Sequence, residues 1–139
     1  MSGQIRHIVS FIISDDNLDP LEITKMLGVD PDKAHRKGDP NTSISKKGKL
    51  INFSPFNTGL WRIESKEDAY VSLDYHLKTM LLLLYPLKEQ FSELSNREYK
   101  MDMFCSVDSH GVDQPGFAIG SDILLKMGEL NIGLSVCIY

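Results

Sequence analysis

Apolar and polar positions alternate from Ile5 to Ser14, the first regular signal in the chain. Ile5, His7, Val9, Phe11 and Ile13 share one side, while Arg6, Ser10 and Ser14 alternate with them alongside Ile8 and Ile12. That pattern predicts a strand with one face buried and the other partly so. Asp15-Asp16-Asn17 ends it, and a short helix with complete end chemistry follows. Asp19 suits the N-cap, Pro20 the first helical position and Glu22 a capping box, with Leu18 and Ile23 placed as a hydrophobic staple. Gly28 stops the helix as a left-handed C′ residue.

Further along, Gly59 to Ser65 reads as a strand with Trp61 and Ile63 on one face. Leu73, Leu77, Met80, Leu81, Leu84, Leu87, Phe91 and Leu94 recur at helical spacing, so a long helix is expected, capped by Ser65 followed by Asp68. Pro86 lies inside it and predicts a kink or a break, because proline lacks the amide hydrogen and crowds the preceding turn. Tyr99 to Val107 alternates cleanly as a strand, and turn residues fill Asp108 to Gly116. Ser121 is expected to cap a helix carrying Ile123, Leu124, Met127 and Leu130. The last strand, Ile132 to Tyr139, is expected to bury Ile132, Leu134, Val136 and Ile138.

The expected fold is α+β: a split β-α-β (ferredoxin-like) sheet with helices packed mainly on one face. Two halves, each a strand, an acidic loop and a short helix, are similar at pattern level. Residues 1–139 form a single domain, within which residues 30–58 are an irregular insert punctuated by Pro31, Gly38, Pro40, Gly48 and Pro55. Only Leu50, Ile51 and Phe53 suggest a strand there.

Charge sharpens that division. Between Lys33 and Lys49 six Lys/Arg face one Asp, a local charge of +5 that leaves −9 for the rest of a chain whose net charge is −4. An acidic body argues against nucleic-acid and anionic-membrane partners. The longest apolar run, Met80 to Tyr85, is far too short for a bilayer. The opening residues show no secretory pattern, and two cysteines make no disulfide framework, so a cytoplasmic protein is expected.

Candidate chemistry is thin. His7, His35, His76 and His110 include no i, i+4 pair, so neither a metal site nor any cofactor is expected. His7 reads as a hydrogen-bonded core residue and Cys105 as a small buried hydrophobe. Asp15, Asp16 and Asp19 would bind a cation only if their loop met Asp108 and Asp113, and turn formation already accounts for them. The candidate binding surface is the basic segment, Arg36, Lys37, Lys46, Lys47 and Lys49, with Trp61 and Arg62 as a further anchor. Its partner would be a protein with an acidic surface.

Four segments also carry a family resemblance: Ile23-Thr-Lys-Met-Leu-Gly-Val-Asp-Pro-Asp-Lys-Ala34, Lys37-Gly38, Gly59-Leu-Trp-Arg-Ile63 and Leu130-Asn-Ile-Gly-Leu-Ser-Val-Cys-Ile-Tyr139. In this order they resemble the bacterial domain-of-unknown-function 4279 family. The resemblance implies a small stand-alone protein with no catalytic residues to carry over, from a group associated with toxin-immunity neighbourhoods. The expected function is a non-enzymatic binding protein, an immunity-type inhibitor of a protein partner. The alternative is a small-molecule-sensing regulatory module.

Overall fold

The computed structural model describes residues 4–113 and 116–139, so part of the turn-rich stretch after Asp108 lies outside the described residues. Among the described residues seven strands are present: β1 (Arg6–Asp15), β2 (Lys33–His35), β3 (Asn41–Ile44), β4 (Leu50–Phe53), β5 (Gly59–Glu64), β6 (Lys100–Asp108) and β7 (Gly133–Ile138). The helices are α1 (Pro20–Leu27), α2 (Leu73–Leu84), α3 (Lys88–Asn96) and α4 (Ser121–Glu129).

A five-stranded mixed sheet has the order β2-β5-β1-β6-β7, and β3 and β4 form a separate ribbon. β1 lies between β5 and β6, antiparallel to both, whereas β7 is parallel to β6. The three connections differ in reach. α1 carries the chain from β1 past β5 to β2, α2 and α3 carry it from β5 past β1 to β6, and α4 leads only to the neighbouring strand. β5, β6 and β7 share one direction and step one way across the sheet, while β1 and β2 run and step in reverse. Right-handed crossovers then place every helix on the same face.

The burial pattern agrees with that geometry. Val9, Phe11 and Ile13 of β1, Trp61 and Ile63 of β5, and Met101, Met103, Cys105 and Val107 of β6 are buried beneath Ile23, Leu77, Leu84, Phe91, Leu94 and Met127 of the helices. Ile8, Ile12, Leu60, Arg62, Glu64 and Phe104 point to the opposite face, which no helix covers.

α1 keeps most of its expected ends. Asp19 Oδ1 accepts from the Leu21 amide at 3.1 Å, Leu18 and Ile23 are buried, and Gly28 adopts φ +69° while its N–H reaches the Thr24 carbonyl at 2.8 Å. Glu22 does not close a capping box. Its carboxylate pairs with Arg97 at the end of α3 instead, which ties the two helices together.

The long helix begins later than expected. Ser72 is its N-cap, accepting from the Tyr75 amide at 3.2 Å. Ser65 and Asp68 are committed elsewhere, Ser65 to His76 and Asp68 to a turn at the Tyr70 amide. At Pro86 the helix breaks as predicted: α2 ends at Leu84, a 3-10 turn spans Tyr85–Leu87, and α3 restarts at Lys88. α4 is preceded by Gly120 rather than capped by Ser121, and the Gly120 amide donates to Asp74 Oδ1 at 2.9 Å.

Two further expectations change. Residues 30–58 hold more strand than expected: β4 falls where Leu50, Ile51 and Phe53 suggested it, and β2 and β3 are additional. The polar residues of β2 and β3 hide their strand period from sequence reading. β7 does not bury its apolar side chains: Leu134, Val136 and Ile138 are 37%, 36% and 51% exposed. Only one flank of β7 is paired, and α4 spends its apolar stripe on Ile123, Met127 and Leu130.

Candidate interaction surface

The β3–β4 ribbon turns at Ser45-Lys46-Lys47-Gly48-Lys49. The Ser45 carbonyl accepts from the Gly48 amide at 2.9 Å, and Gly48 takes φ +78°, a type I turn closed by a left-handed glycine. Ser45 Oγ accepts from the Lys49 amide at 3.1 Å. Lys46 and Lys47 therefore sit at the tip, with Lys49 at its base. Register pairs Asn41 with Phe53, Ser43 with Ile51, and Ile44 with Leu50, so apolar residues lie on both faces of the ribbon. Ile44, Leu50, Ile51 and Phe53 are 71%, 58%, 38% and 54% exposed. A two-stranded ribbon with no sheet behind it is marginally stable alone, and this one exposes the residues that would normally pack it.

Its root is held firmly. The His35 ring stacks on Phe56 at 3.5 Å with an interplanar angle of 11°, and Lys33 Nζ lies 5.6 Å above the same ring. Burial and Lys33 hold the His35 pKa below its ordinary value, which keeps the stacked ring neutral. The Gly38 amide donates to the Phe56 carbonyl at 2.7 Å. Arg36 pairs with Asp19 at 2.8 Å and Lys37 with Asp16 at 3.3 Å.

The seven residues singled out from the sequence thus divide into four groups. Arg36 and Lys37 are engaged with the acidic loop after β1. Among the described residues Lys46, Lys47 and Lys49 make no ion pair, and they share the ribbon with its exposed apolar side chains. Trp61 is 0% exposed, and its Nε1 donates to Thr24 Oγ1 at 3.0 Å, so the indole packs the core and is withdrawn from any partner. Arg62 lies on the uncovered face of the main sheet, between Lys33 and Ile12 and not on the ribbon.

The two acidic loops do not converge. β1 and β6 are antiparallel, pairing Ser14 with Lys100 and Arg6 with Asp108, so Asp15 and Asp108 lie at opposite ends of the strand pair. Asp15 accepts from the Asn17 amide, and Asp16 and Asp19 hold basic side chains. Among the described residues no three His, Cys, Asp or Glu side chains gather as metal ligands.

One contact had no sequence signal. Ser65 Oγ lies 2.8 Å from His76 Nδ1, and His76 is only 1% exposed. Burial, reinforced by His7 with its ring centroid 6.1 Å away, holds the His76 pKa below its ordinary value. A neutral imidazole accepting from a hydroxyl has the first half of a nucleophile–base pair, but a triad also needs a group that orients the base. His76 Nε2 has no hydrogen-bond partner among the described residues. Ser65 also forms part of a cleft of about 240 Å³ lined by Val29, Asp32, Ile63, Lys66, Thr79 and Met80. Cys105 is no nucleophile either, since burial pushes its thiol up to about 12.

The family model for a domain of unknown function, DUF4279, matches residues 4–139, and the chain belongs to that family. No curated protein and no solved structure matches it.

Proposed function

We propose that this DUF4279 member is a non-enzymatic binding protein that holds an acidic partner protein with its β3–β4 ribbon, as an immunity-type inhibitor in a bacterial cytoplasm. The observation that carries the reading is the ribbon itself. Ile44, Leu50, Ile51 and Phe53 stand exposed beside Lys46, Lys47 and Lys49, on an arm with no packing of its own. Apolar anchors ringed by one sign of charge suit a protein surface, where the anchors supply affinity and the lysines supply approach rate and register. The −9 carried outside residues 33–49 opposes a polyanionic nucleic acid or membrane. The immunity-type role rests on the family resemblance alone.

The same reading takes β2-β5-β1-β6 as a ferredoxin-like core to which α4 and β7 are appended. Its supports are three antiparallel junctions and two helical connections that each step over one strand.

The test is capture from the native cells followed by affinity measurement against the isolated partner. Exchanging Lys46, Lys47 and Lys49 for glutamate is expected to weaken binding at least tenfold, with most of the change in association rate at low salt. Phe53→Ala is expected to act mainly on dissociation. Equal affinity for the wild type and the charge-reversed ribbon refutes the reading.

The cleft beside Ser65 favours a second reading, the small-molecule sensor. At about 240 Å³ it suits an amino-acid-sized ligand better than a nucleotide, and Asp32 and Lys66 offer opposite charges at its mouth. A ligand at a hundredfold excess over its Kd would stabilise the fold by ~2.7 kcal/mol. A metabolite screen in which no compound shifts the melting curve eliminates this reading.

A further inference from the structure

The two edges of the main sheet are treated very differently. β2, at one edge, has three residues, follows Pro31 and carries Lys33, all of which discourage further pairing. β7, at the other, has six residues with no charge, no proline and no bulge, and the whole stretch from Leu130 to Tyr139 is uncharged.

The hydrogen-bonding phase of β7 is fixed by its last residue. The Tyr139 amide donates to the Val107 carbonyl, and the Tyr139 carbonyl accepts from the Ser109 amide. In a parallel ladder alternate residues turn both groups to the same neighbour. The odd positions of β7 therefore face β6, and Leu134, Val136 and Ile138 turn their N–H and C=O outward. These are also the residues whose side chains lie exposed on the helix-bearing face, in register with Met103, Cys105 and Val107. α4 extends the same apolar strip. Its Asp122, Ile123 and Lys126 line a cleft with Lys78, Leu81 and Leu82 of α2, which turns Leu124, 47% exposed, to the flank away from α2.

We propose that β7 is the dimer interface of this protein, pairing antiparallel with β7 of a second copy about a two-fold axis through Val136. This register pairs all three outward-facing residues of β7 with one another. Val136 meets Val136 of the partner subunit, so outward N–H and C=O groups exchange at the axis. Leu134 meets the partner subunit's Ile138 in hydrogen-bonded pairs on either side, apolar against apolar on the helix-bearing face. Ser135 and the partner's Cys137 fall opposite each other on the uncovered face. A two-fold contact must use one patch twice, and a patch without charge can do so between two copies that each carry −4. The ten-stranded sheet that results has only the guarded β2 strands at its ends, and the ribbons stay clear of the interface.

The register makes the test specific. Sedimentation of the full chain over a dilution series is expected to give twice the chain mass, falling to one chain mass on dilution. Val136→Lys sets two like charges opposite each other at the axis and is expected to halve the mass, as is Val136→Glu. An equimolar mixture of the two variants is expected to recover the doubled mass, because only residue 136 of one copy faces residue 136 of the other. Ser135→Cys is expected to cross-link to the partner's Cys137 on oxidation, since a non-hydrogen-bonded antiparallel pair brings Cα atoms to ~4.5 Å, within disulfide reach. Melting curves of each variant check that the monomer still folds. A wild type with the mass of one chain throughout, a Val136→Lys protein that keeps the doubled mass, or a mixture that stays monomeric overturns the proposal.

Discussion

Replacing Trp61 with alanine is expected to lower the thermal midpoint by about 10–15 °C, the largest loss any single truncation should cause here. The indole is fully buried on β5, where register sets it beside Ala34 of β2 and Ile13 of β1. Its ring meets Phe11 edge-on at 6.4 Å and 71°, and its N–H is donated to Thr24 on α1. Truncation removes the link between Trp61 and Thr24 of α1, opens a cavity and leaves the Thr24 hydroxyl without its donor. Tryptophan-to-alanine changes in such sites cost ~3–5 kcal/mol. At ~3 °C per kcal/mol for a domain of this size, that becomes the stated shift. Trp61→Phe keeps the ring and loses only the hydrogen bond, so it should fall well short of that. Circular dichroism melting gives the answer, and an unchanged midpoint for the alanine variant would disprove the packing of α1 on β5.

What the sequence disclosed about the fold depended on how long each pattern ran. β1, β6 and the α2–α3 pair each hold one period for nine residues or more, and all are where the spacing put them. Pro86 broke the long helix because its effect is local and does not wait on tertiary context. β2 and β3 are three and four residues long and mostly polar, too short for any period to register. The exposure of β7 is a different kind of miss. Leu134, Val136 and Ile138 alternate as a buried strand should, but whether such a face is covered depends on how far α4 reaches.

The candidate surface was legible in its charge and hidden in its geometry. The +5 segment could be counted from the residues, and Lys46, Lys47 and Lys49 do stand together on the ribbon. That Arg36 and Lys37 are held by Asp19 and Asp16 follows from folding the loop after β1 against the root of the ribbon, across 17 and 21 residues. The acidic loops were separated by the antiparallel pairing of β1 with β6, which no single sequence specifies. Ser65 and His76 are 11 residues apart and meet only because the segment between β5 and α2 folds back.

That segment gives the second large effect, a loss of stability in mild acid. The amide of His7 donates to the Ala69 carbonyl at 2.8 Å, and the His7 ring lies 2.9 Å from the Val71 carbonyl. His76 in turn holds Ser65, so the two histidines fasten residues 65–71 across the start of β1. His76 is buried with His7 beside it and only Glu67 as a favourable charge, and its folded pKa is held below the ordinary 6.5. The unfolded chain therefore binds the proton more readily than the native one. Stability is fully present above about pH 6.5 and falls as pH drops below it, at up to ~1.4 kcal/mol per pH unit until the folded value is reached. Asp32, held below its ordinary 3.8 by Lys66 and the Glu64 amide, adds its own loss only in stronger acid, so the two windows separate. Urea unfolding at pH 7.5, 6.5 and 5.5 should show a midpoint that declines over the last interval. In His76→Leu, which keeps the volume and cannot be charged, the decline should shrink to the part that His35, also held below its ordinary value, contributes over the same interval. A wild-type midpoint that stays flat across the three would mean that His76 already binds its proton in the folded state, contrary to its burial.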